Sequence, residues 1–234
     1  MSGHSKWATT HRQKAVVDAK RGAAFTKLGN MIAIAARGGT DPTTNSSLAL
    51  AIEKARAANM PNANIQRAID RINDKNAAAL EEAVYEGYGP GGVGIIIETA
   101  TDNKNRTYPE VRTALTKNGG TMADSGSVMF QFARKGVIRV AASGEEALLT
   151  VLDAGAEDAV EEDGGLTVYT DKKELAKVRE ALLAAGMTVE DAELQYVPNN
   201  TIAIEDDETA RKLTKIIDAL EALDDVTNVA TNAA

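Results

Sequence analysis

Hydrophobic residues in the first third of the chain recur every three or four positions, a spacing typical of amphipathic helices. Three such faces can be traced: Phe25, Leu28, Ile32 and Ala35; Leu48, Ile52 and Ala55; and Ile65, Ala68, Ile69 and Ile72. The glycine pair at 38–39 would end the first helix, Pro61 follows the second, and an asparagine precedes the third as a cap. The pattern therefore predicts a three-helix domain over residues 1–80.

The hydrophobic pattern changes after residue 85, where runs typical of strands begin. Residues 92–101 read GVGIIIETAT, a buried strand, and residues 127–133 read SVMFQFA, which alternates as a strand does. Between them, residues 106–120 predict a helix, in which Thr107 caps the N-terminus, Glu110 completes a capping box and Pro109 lies in the first turn. This part of the chain therefore predicts a strand–helix–strand unit over residues 93–133.

An internal duplication follows this unit. Residues 137–162 and 166–197 each predict a strand, a helix, an Ala-Gly pair and a second strand. Together they predict a ferredoxin-like βαββαβ domain over residues 135–199. Residues 201–232 predict one more strand–helix–strand unit, which completes a second ferredoxin-like domain if it pairs with the unit at 93–133.

The predicted fold class is therefore α+β, with an N-terminal three-helix domain followed by two ferredoxin-like βαββαβ domains, one inserted into the other. The helical domain covers residues 1–80, the first α/β domain covers 81–134 plus 200–234, and the inserted domain covers 135–199. A sequential arrangement of the units is the simpler topology. It would leave two incomplete half-domains, however, so the nested arrangement is favoured.

Composition narrows the functional classes. The chain of 234 residues has no cysteine, which excludes disulfides, zinc ribbons and thiol chemistry and is typical of a cytoplasmic protein. No apolar run approaches the roughly 18 residues that a membrane-spanning helix needs, and the N-terminus lacks the features of a secretory signal. We therefore expect a cytoplasmic protein without a membrane partner.

Residues suited to catalysis or cofactor binding are few. Residues 87–92 satisfy G-x-G-x-x-G, but the glycines precede a strand and include a proline, so they predict a turn rather than a dinucleotide site. The only histidines are His4 and His11, and no G-x-S-x-G motif is present. The acidic clusters at 161–163 and 206–208 leave Mg²⁺ binding as an alternative. We expect no enzymatic activity, no cofactor, no metal and no small-molecule substrate.

Charge is distributed unevenly along the chain. The formal net charge is -8, yet residues 1–75 carry 12 Lys and Arg against 5 Asp and Glu, and residues 136–234 carry 8 against 22. Such asymmetry is typical of a module that faces a polyanion, joined to an acidic, solvating module. The protein is therefore expected to bind nucleic acid or a ribonucleoprotein surface.

The candidate contact residues lie mainly at the N-terminus. Lys20 and Lys27 are two helical turns apart, on a face away from Phe25 and Leu28, and Trp7 could stack on bases. The predicted nucleic-acid contacts are Lys6, Trp7, His11, Arg12, Lys14, Lys20, Arg21 and Lys27. A secondary basic cluster contains Lys104, Arg106, Arg112 and Lys117. No zinc-finger, RNP or KH signature accompanies these charges, so they imply no sequence preference.

Several motifs together carry a resemblance to a known family. They are GHSKWA and DAKRG near the N-terminus, NMP with NIQRAIDR, and then YEGYGPGGVGIIIE, TDNKNRT, KNGG and KIIDALEALDDVTNV. In order and spacing they closely resemble the YebC/PmpR family over residues 3–228, nearly the whole chain. The resemblance implies a helical N-terminal domain and two α/β domains, without enzymatic activity or a cofactor.

The resemblance also implies a function in gene expression. Bacterial members are described as probable transcriptional regulators that bind DNA; the mitochondrial relative is a translational activator of a cytochrome oxidase subunit, and some bacterial members are implicated in relieving ribosomes stalled on proline-rich stretches. The expected function is therefore a non-enzymatic, DNA-binding regulator of transcription. The alternative is a ribosome-associated translation factor that binds ribosomal RNA. The resemblance transfers Lys6, Lys14, Lys20, Arg21 and Lys27 as contact positions.

Overall fold

The structure, a computed structural model, describes residues 18–74 and 78–234; for residues 18–21 and 23 it describes the backbone only. Within these ranges the longer helices are α1 (Asp18–Ala35), α2 (Ser46–Ala57), α3 (Asn62–Asp70), α4 (Lys104–Lys117), α5 (Glu145–Asp153), α6 (Leu175–Ala184) and α7 (Asp207–Glu221). The strands are β1 (Glu81–Tyr88), β2 (Gly94–Thr101), β3 (Thr121–Ala123), β4 (Phe132–Val140), β5 (Asp158–Glu162), β6 (Gly165–Asp171), β7 (Val189–Pro198) and β8 (Val226–Thr231). The fold is mixed α+β, as the sequence predicted.

Helices α1, α2 and α3 pack around one hydrophobic core. The buried side chains of this core are Leu28, Ile32, Ala36, Leu48, Ile52, Ala55, Met60, Ile65, Ala68 and Ile69, and Phe25 packs against them half-buried. The predicted faces of α2 and α3 are thus confirmed up to residue 69. Ile72 is 41% exposed, because α3 ends at Asp70 and a 3-10 turn over Arg71–Asn73 breaks the 3.6-residue period.

The helix caps differ in part from the prediction. The predicted asparagine cap of α3 is wrong, because Pro61 precedes the helix without a side-chain cap and Asn62 is already helical. An asparagine does cap α2: the side chain of Asn45 accepts a hydrogen bond from the Leu48 N–H at 3.1 Å. This cap satisfies one of the free N–H groups of the first turn.

Helix α4 begins earlier than the sequence predicted. The Asn103 side chain accepts hydrogen bonds from the N–H groups of Asn105 at 3.1 Å and Arg106 at 3.3 Å, so the helix starts at Lys104. Thr107 and Pro109 consequently lie inside the helix, and the predicted capping box that starts at Thr107 is wrong. Asn103, four residues before Thr107, can cap a helix as well as a threonine does. The sequence pattern alone does not show which of the two residues begins the helix.

The first sheet is antiparallel, with the strand order β3-β1-β2-β8. Helices α4 and α7 pack on one face, over a core that includes Ile95, Ile97, Leu115, Leu213 and Ile216. The glycines after β1 form the predicted turn, a 3-10 turn over Pro90–Gly92 in which Gly91 has a φ of 73°. The hydrophobic pattern does not predict β1 itself, because its eight residues include three glutamates.

Two predicted strands of this region are wrong. In residues 127–133, Met129–Gln131 is a 3-10 turn and Phe132 already belongs to β4. The apolar alternation there arises because Val128 and Phe132 are buried against the first sheet. Residues 201–205 form only one parallel bridge, between Ile202 and Ala233. Strands β1 and β3 take the places of the two predicted strands.

The second sheet has the order β5-β6-β4-β7 and is formed by residues 132–198, which lie between β3 and β8 in the chain. Its elements follow the order strand, helix, strand, strand, helix, strand. The core between the sheet and its helices includes Ile138, Val168, Val178 and Leu182. The sheet begins at Phe132, before the predicted start of the inserted domain at residue 135.

The helical part of the chain contacts both sheets. Helix α1 packs on β2 and β8. Helix α2 runs beside β7, where Lys54 forms an ion pair with Glu193 and Glu53 forms one with Arg179 of α6. Leu50 of α2 also packs against the core of the second sheet. Apolar and ionic contacts therefore hold the helical part against the two sheets.

Candidate nucleic-acid interface

Most of the predicted contact residues precede the described part of the chain. Lys6, Trp7, His11, Arg12 and Lys14 lie outside the described residues. Lys20 and Arg21 belong to the first turn of α1, where the structure describes the backbone. Because residues seven apart lie on the same side of a helix, Lys20 shares its side of α1 with Lys27. Of these two lysines, the structure describes the side-chain surroundings of Lys27.

The Lys27 ammonium contacts protein. Its Nζ donates a hydrogen bond to the carbonyl of Glu221, the last residue of α7. The last carbonyls of a helix have no partner inside the helix and carry partial negative charge, so an ammonium is favourable there. Burial lowers the pKa of Lys27, and the nearby charges of Glu221 and Asp224 oppose that shift. Lys27 therefore connects α1 to α7.

The secondary basic cluster separates into two pairs. Lys104 forms an ion pair with Glu81 at 2.6 Å, and Arg106 forms one with Asp225 at 2.7 Å. Arg112 and Lys117, farther along α4, are both exposed. Helix α4 packs beside α7, whose Arg211 and Lys215 are also exposed. Arg112 and Lys117 therefore lie on the outer surface of these two helices, and Lys104 and Arg106 are exposed as well.

Arg106 belongs to a hydrogen-bonded network centred on the buried carboxylate of Asp225. The Oδ2 atom of Asp225 accepts hydrogen bonds from Thr107 at 2.6 Å and Thr101 at 3.0 Å, and Arg106 donates to both carboxylate oxygens. Burial by itself would raise the pKa of Asp225, but these hydrogen bonds outweigh it and the pKa lies below its ordinary value. The network ties the end of β2 and the first turns of α4 to the start of β8.

The network extends to the helical part of the chain through Asp102. Its carboxylate lies 3.2 Å from Arg106 and 3.7 Å from Arg71. Arg71 also donates to the Asn30 side chain at 3.3 Å, and Asn30 donates to the Ala100 carbonyl at 3.5 Å. Sequence reasoning missed this network because Asp225 is 119 residues from Arg106. The available signal was the polar TDNKNRT run directly after a buried strand.

A cleft of about 540 Å³ lies between α1, the first turn of α4 and the connection from α7 to β8. Its lining includes Thr26, Asn30, Arg71, Asp102, Arg106 and Asp225. The two guanidinium groups are paired with carboxylates, so the cleft offers polar contacts rather than an acid–base pair. Over residues 18–74 and 78–234, no group of three or more His, Cys, Asp or Glu is arranged to hold a metal ion.

The acidic cluster at 206–208 has a structural use. Asp206 is the N-cap of α7, and its carboxylate accepts a hydrogen bond from the Thr209 N–H at 2.7 Å, which lowers its pKa. Asp207 and Glu208 occupy the first turn, where negative charge favours the helix dipole. Among the helices of the described ranges, none combines the length and the apolar character needed to cross a membrane.

Comparison with known proteins places this arrangement in a family. Residues 5–75 match the family described as TACO1/YebC protein N-terminal domain, and residues 80–233 match the one described as TACO1/YebC second and third domain. A "Probable transcriptional regulatory protein" of Moorella thermoacetica is 51% identical over 240 residues, covering 100% of this chain and 95% of that protein. The "Probable transcriptional regulatory protein CT1665" of Chlorobaculum tepidum is 51% identical over 238 residues, covering 99% and 94%.

A solved structure agrees with these sequence matches. The crystal structure of a conserved hypothetical protein, Aq1575 from Aquifex aeolicus, superposes with a TM-score of 0.88 at 44% identity, covering 95% of this chain and 93% of that one. The two family matches together span nearly the whole chain. The chain therefore belongs to the TACO1/YebC family.

Proposed function

We propose that this protein is a non-enzymatic regulator of gene expression that binds nucleic acid, and that it acts on transcription by binding DNA. The observation that carries the proposal is the basic N-terminal segment of an acidic protein, where five Lys and Arg fall within residues 6–21 against one acidic residue, Asp18. Lysine and arginine side chains suit contacts to phosphates, and such contacts carry no sequence preference. The relatives named as probable transcriptional regulatory proteins support the same assignment.

The proposal includes a division of labour along the chain. The basic helical domain, residues 1–80, makes the contacts with nucleic acid. The first α/β domain, 81–134 plus 200–234, and the inserted acidic domain, 135–199, discourage indiscriminate binding and are left for other contacts. The position of the second sheet between β3 and β8 in the chain supports this nested division. The absence of cysteine supports a cytoplasmic location.

A salt titration tests the proposal. The binding of a fluorescent DNA duplex of about 20 base pairs should weaken linearly in log K against log salt, with a slope of about -0.9 for each phosphate contacted. The double variant Lys20→Ala, Arg21→Ala should bind more weakly and reduce the slope by about two phosphates. Lys172→Ala, Lys173→Ala removes an exposed cation pair of the acidic domain and is the matched control, expected to bind as wild type. Absence of duplex binding at low salt would overturn the proposal.

A ribosome-associated translation factor is the second candidate, and the spread of its cations favours it. The exposed Arg112 and Lys117 lie towards the C-terminal end of α4, whereas the N-terminal end meets the helical domain at Asp102 and Arg71. Arg112 and Lys117 lie about 12 and 20 Å along α4 from Lys104 at its N-terminal end, so they form a separate exposed cationic region. Shape and phosphate recognition of ribosomal RNA uses contacts of this breadth. In a sucrose gradient, salt-sensitive migration with 50S or 70S particles supports this candidate, and retention at the top contradicts it.

A further inference from the structure

One flank of α4 combines an aromatic ring with cations. Lys104, Tyr108 and Arg112 follow one another at intervals of four residues, so they form a row of neighbouring side chains along the helix, here called the α4 row. Tyr108 is 43% exposed, and Lys104 and Arg112 are exposed as well. The Tyr108 ring therefore lies one helical turn from an ammonium group and one turn from a guanidinium group.

Strand β1 supports the ring of the α4 row. The centroid of the Tyr85 ring in β1 lies 5.9 Å from that of Tyr108, and the two rings are tilted by 56°. Tilted pairs at this separation are favourable, because the positive edge of one ring meets the negative face of the other. Tyr85 itself packs against the core of the first sheet. Tyr108 is thus held through Tyr85, and a rigid aromatic side chain loses little conformational freedom on binding a partner.

The charges along the α4 row are mostly positive. Lys104 forms an ion pair with Glu81 of β1 at 2.6 Å. The hydrogen bond in this pair lowers the pKa of Glu81, and the nearby charge of Arg37 lowers it further. Arg37 is exposed in the 3-10 turn that follows α1, so the positive surface continues onto the helical domain. Together with Arg112, these contacts bring three cations and one carboxylate to this surface.

The carboxylates and guanidinium groups of the cleft belong to the other flank of α4. Arg106 and Glu110 both line the cleft. Each is two residues from Tyr108, which places it about 160° away around the helix axis. The α4 row is therefore a surface separate from the cleft, and the ion pair between Arg106 and Asp225 does not neutralise it.

This combination of groups suits a single-stranded nucleic acid. The unpaired bases of a single strand can stack on an aromatic side chain, while cations beside the ring contact the phosphates. The core of a protein interface is apolar and depleted in lysine. Within β1 and α4, both of which the structure describes in full, Tyr108 is the only exposed large hydrophobic side chain. The surroundings of the ring thus favour a polyanion over a protein.

We propose that Tyr108 stacks on an unpaired base of a single-stranded nucleic acid, that Lys104 and Arg112 contact its phosphates, and that Tyr85 is a positioning residue. The proposal rests on the nucleic-acid binding proposed above and adds a base contact on the first α/β domain. Lys104 and Arg112 are about 12 Å apart along the helix axis, so they contact phosphates of different nucleotides. The Lys104 ammonium has three donors, so it can keep its bond to Glu81 and still bind a phosphate.

The test measures the binding of fluorescent single strands of about 20 mixed nucleotides, as DNA and as RNA, beside a DNA duplex of the same sequence. Tyr108→Ala should weaken single-strand binding by about 5- to 150-fold, the range for loss of one stacking side chain, with duplex binding and the salt slope unchanged. Tyr108→Trp retains a stacking ring and should bind as wild type. Phe130→Ala removes a 71% exposed ring from the turn Met129–Gln131 and is the matched control, expected to bind as wild type.

Two further variants separate stacking from packing and from charge. Tyr108→Leu keeps an apolar contact with Tyr85 but has no aromatic face, so it should weaken single-strand binding while the urea midpoint stays near that of wild type. Arg112→Ala should weaken single-strand binding and reduce the salt slope by about 0.7, the value for one phosphate of a single strand. If Tyr108→Leu binds single strands as wild type does, the ring serves packing alone and the proposal is wrong.

The outcomes also distinguish this proposal from the proposed function. Single-strand binding that persists in Tyr108→Ala but is lost in the Lys20→Ala, Arg21→Ala variant overturns the stacking contact alone. Equal losses of strand and duplex binding in Tyr108→Ala also contradict it, because a duplex offers no unpaired base. A wild-type protein that binds the duplex but not the single strands overturns the stacking contact and leaves the proposed function intact. A wild-type protein that binds neither overturns both.

Discussion

The Nη2 atom of Arg106 lies 2.9 Å from Oδ1 and 2.7 Å from Oδ2 of Asp225, across 119 residues of sequence. Asp225 is 6% exposed and directly precedes β8, while Arg106 is in the first turn of α4. Asp102 links the same arginine to Arg71 of the helical domain. Arg106, which the sequence placed in the secondary basic cluster, thus belongs to an ionic network that links parts of the fold.

Asp225→Asn tests the contribution of this network to stability. The amide keeps the shape of the side chain but loses the charge, and its nitrogen cannot accept from Thr101, Thr107 or Arg106. Hydrogen bonds to charged groups contribute about 1.5–3 kcal/mol, so we expect the free energy of unfolding to fall by about 2–3 kcal/mol. The measurement is the urea midpoint at constant slope. Asp153→Asn, at an exposed site of α5, should stay within about 0.5 kcal/mol of wild type.

The pH dependence of stability should reveal Glu86. Burial raises the pKa of this carboxyl, but the N–H groups of Gly126, Val128 and Met129 lower it by more, so the folded pKa lies below the unfolded one. Below a pH of about 4.5 the unfolded chain binds this proton more readily, and stability is lost as the pH falls through the folded pKa. We expect thermal midpoints of wild type and Glu86→Gln to differ most near neutral pH and to converge as the pH falls below about 4.5. Glu180→Gln, an exposed site, should follow wild type throughout; parallel curves for Glu86→Gln would contradict the assignment.

Lys27→Met tests whether Lys27 stabilises the fold rather than contacting nucleic acid. The substitution keeps the apolar stem and removes the hydrogen bond to the Glu221 carbonyl. Because this ammonium is engaged inside the protein, we expect duplex affinity and its salt slope to remain at wild-type values, with a small loss of stability. Fluorescence anisotropy over salt provides the measurement. If Lys27→Met lowers the slope as much as Lys20→Ala does, Lys27 contacts phosphate and its bond to α7 opens on binding.

Two isoleucines of the helical domain should respond differently to truncation. Ile32 is completely buried in the three-helix core, whereas Ile72 is 41% exposed beyond the end of α3. Ile32→Ala should lower the free energy of unfolding by about 2–5 kcal/mol, because it leaves a cavity in a packed core. Ile72→Ala should cost less than about 1 kcal/mol. Equal losses in urea unfolding would mean that residue 72 packs in solution as the continuous helical period predicted.

Local periodicity was enough to predict much of the fold. Buried faces such as that of Leu48, Ile52 and Ala55 follow directly from the 3.6-residue period, and the buried strand β2 follows from the apolar run at residues 93–97. The mixed α+β class came from the alternation of such signals. Of the turn predicted at 87–92, the part at Pro90–Gly92 is confirmed, where Gly91 and Gly92 adopt positive φ angles that other residues disfavour, whereas Gly87 and Tyr88 belong to β1.

Contacts between residues far apart in the sequence determined the rest of the fold and the fate of the candidate site residues. The SVMFQFA segment alternates because Val128 and Phe132 are buried against the first sheet. Strand β1 forms although it carries three glutamates; the carboxylate of one of them, Glu86, is buried and accepts hydrogen bonds from three backbone N–H groups. Lys27 and Arg106 have the same charge as Lys20 and Lys117, yet their partners at Glu221 and Asp225 are visible only in the folded chain. A sequence specifies which groups carry charge and which are apolar; the energy of each charge depends on what lies within a few ångströms, and only the tertiary structure determines that.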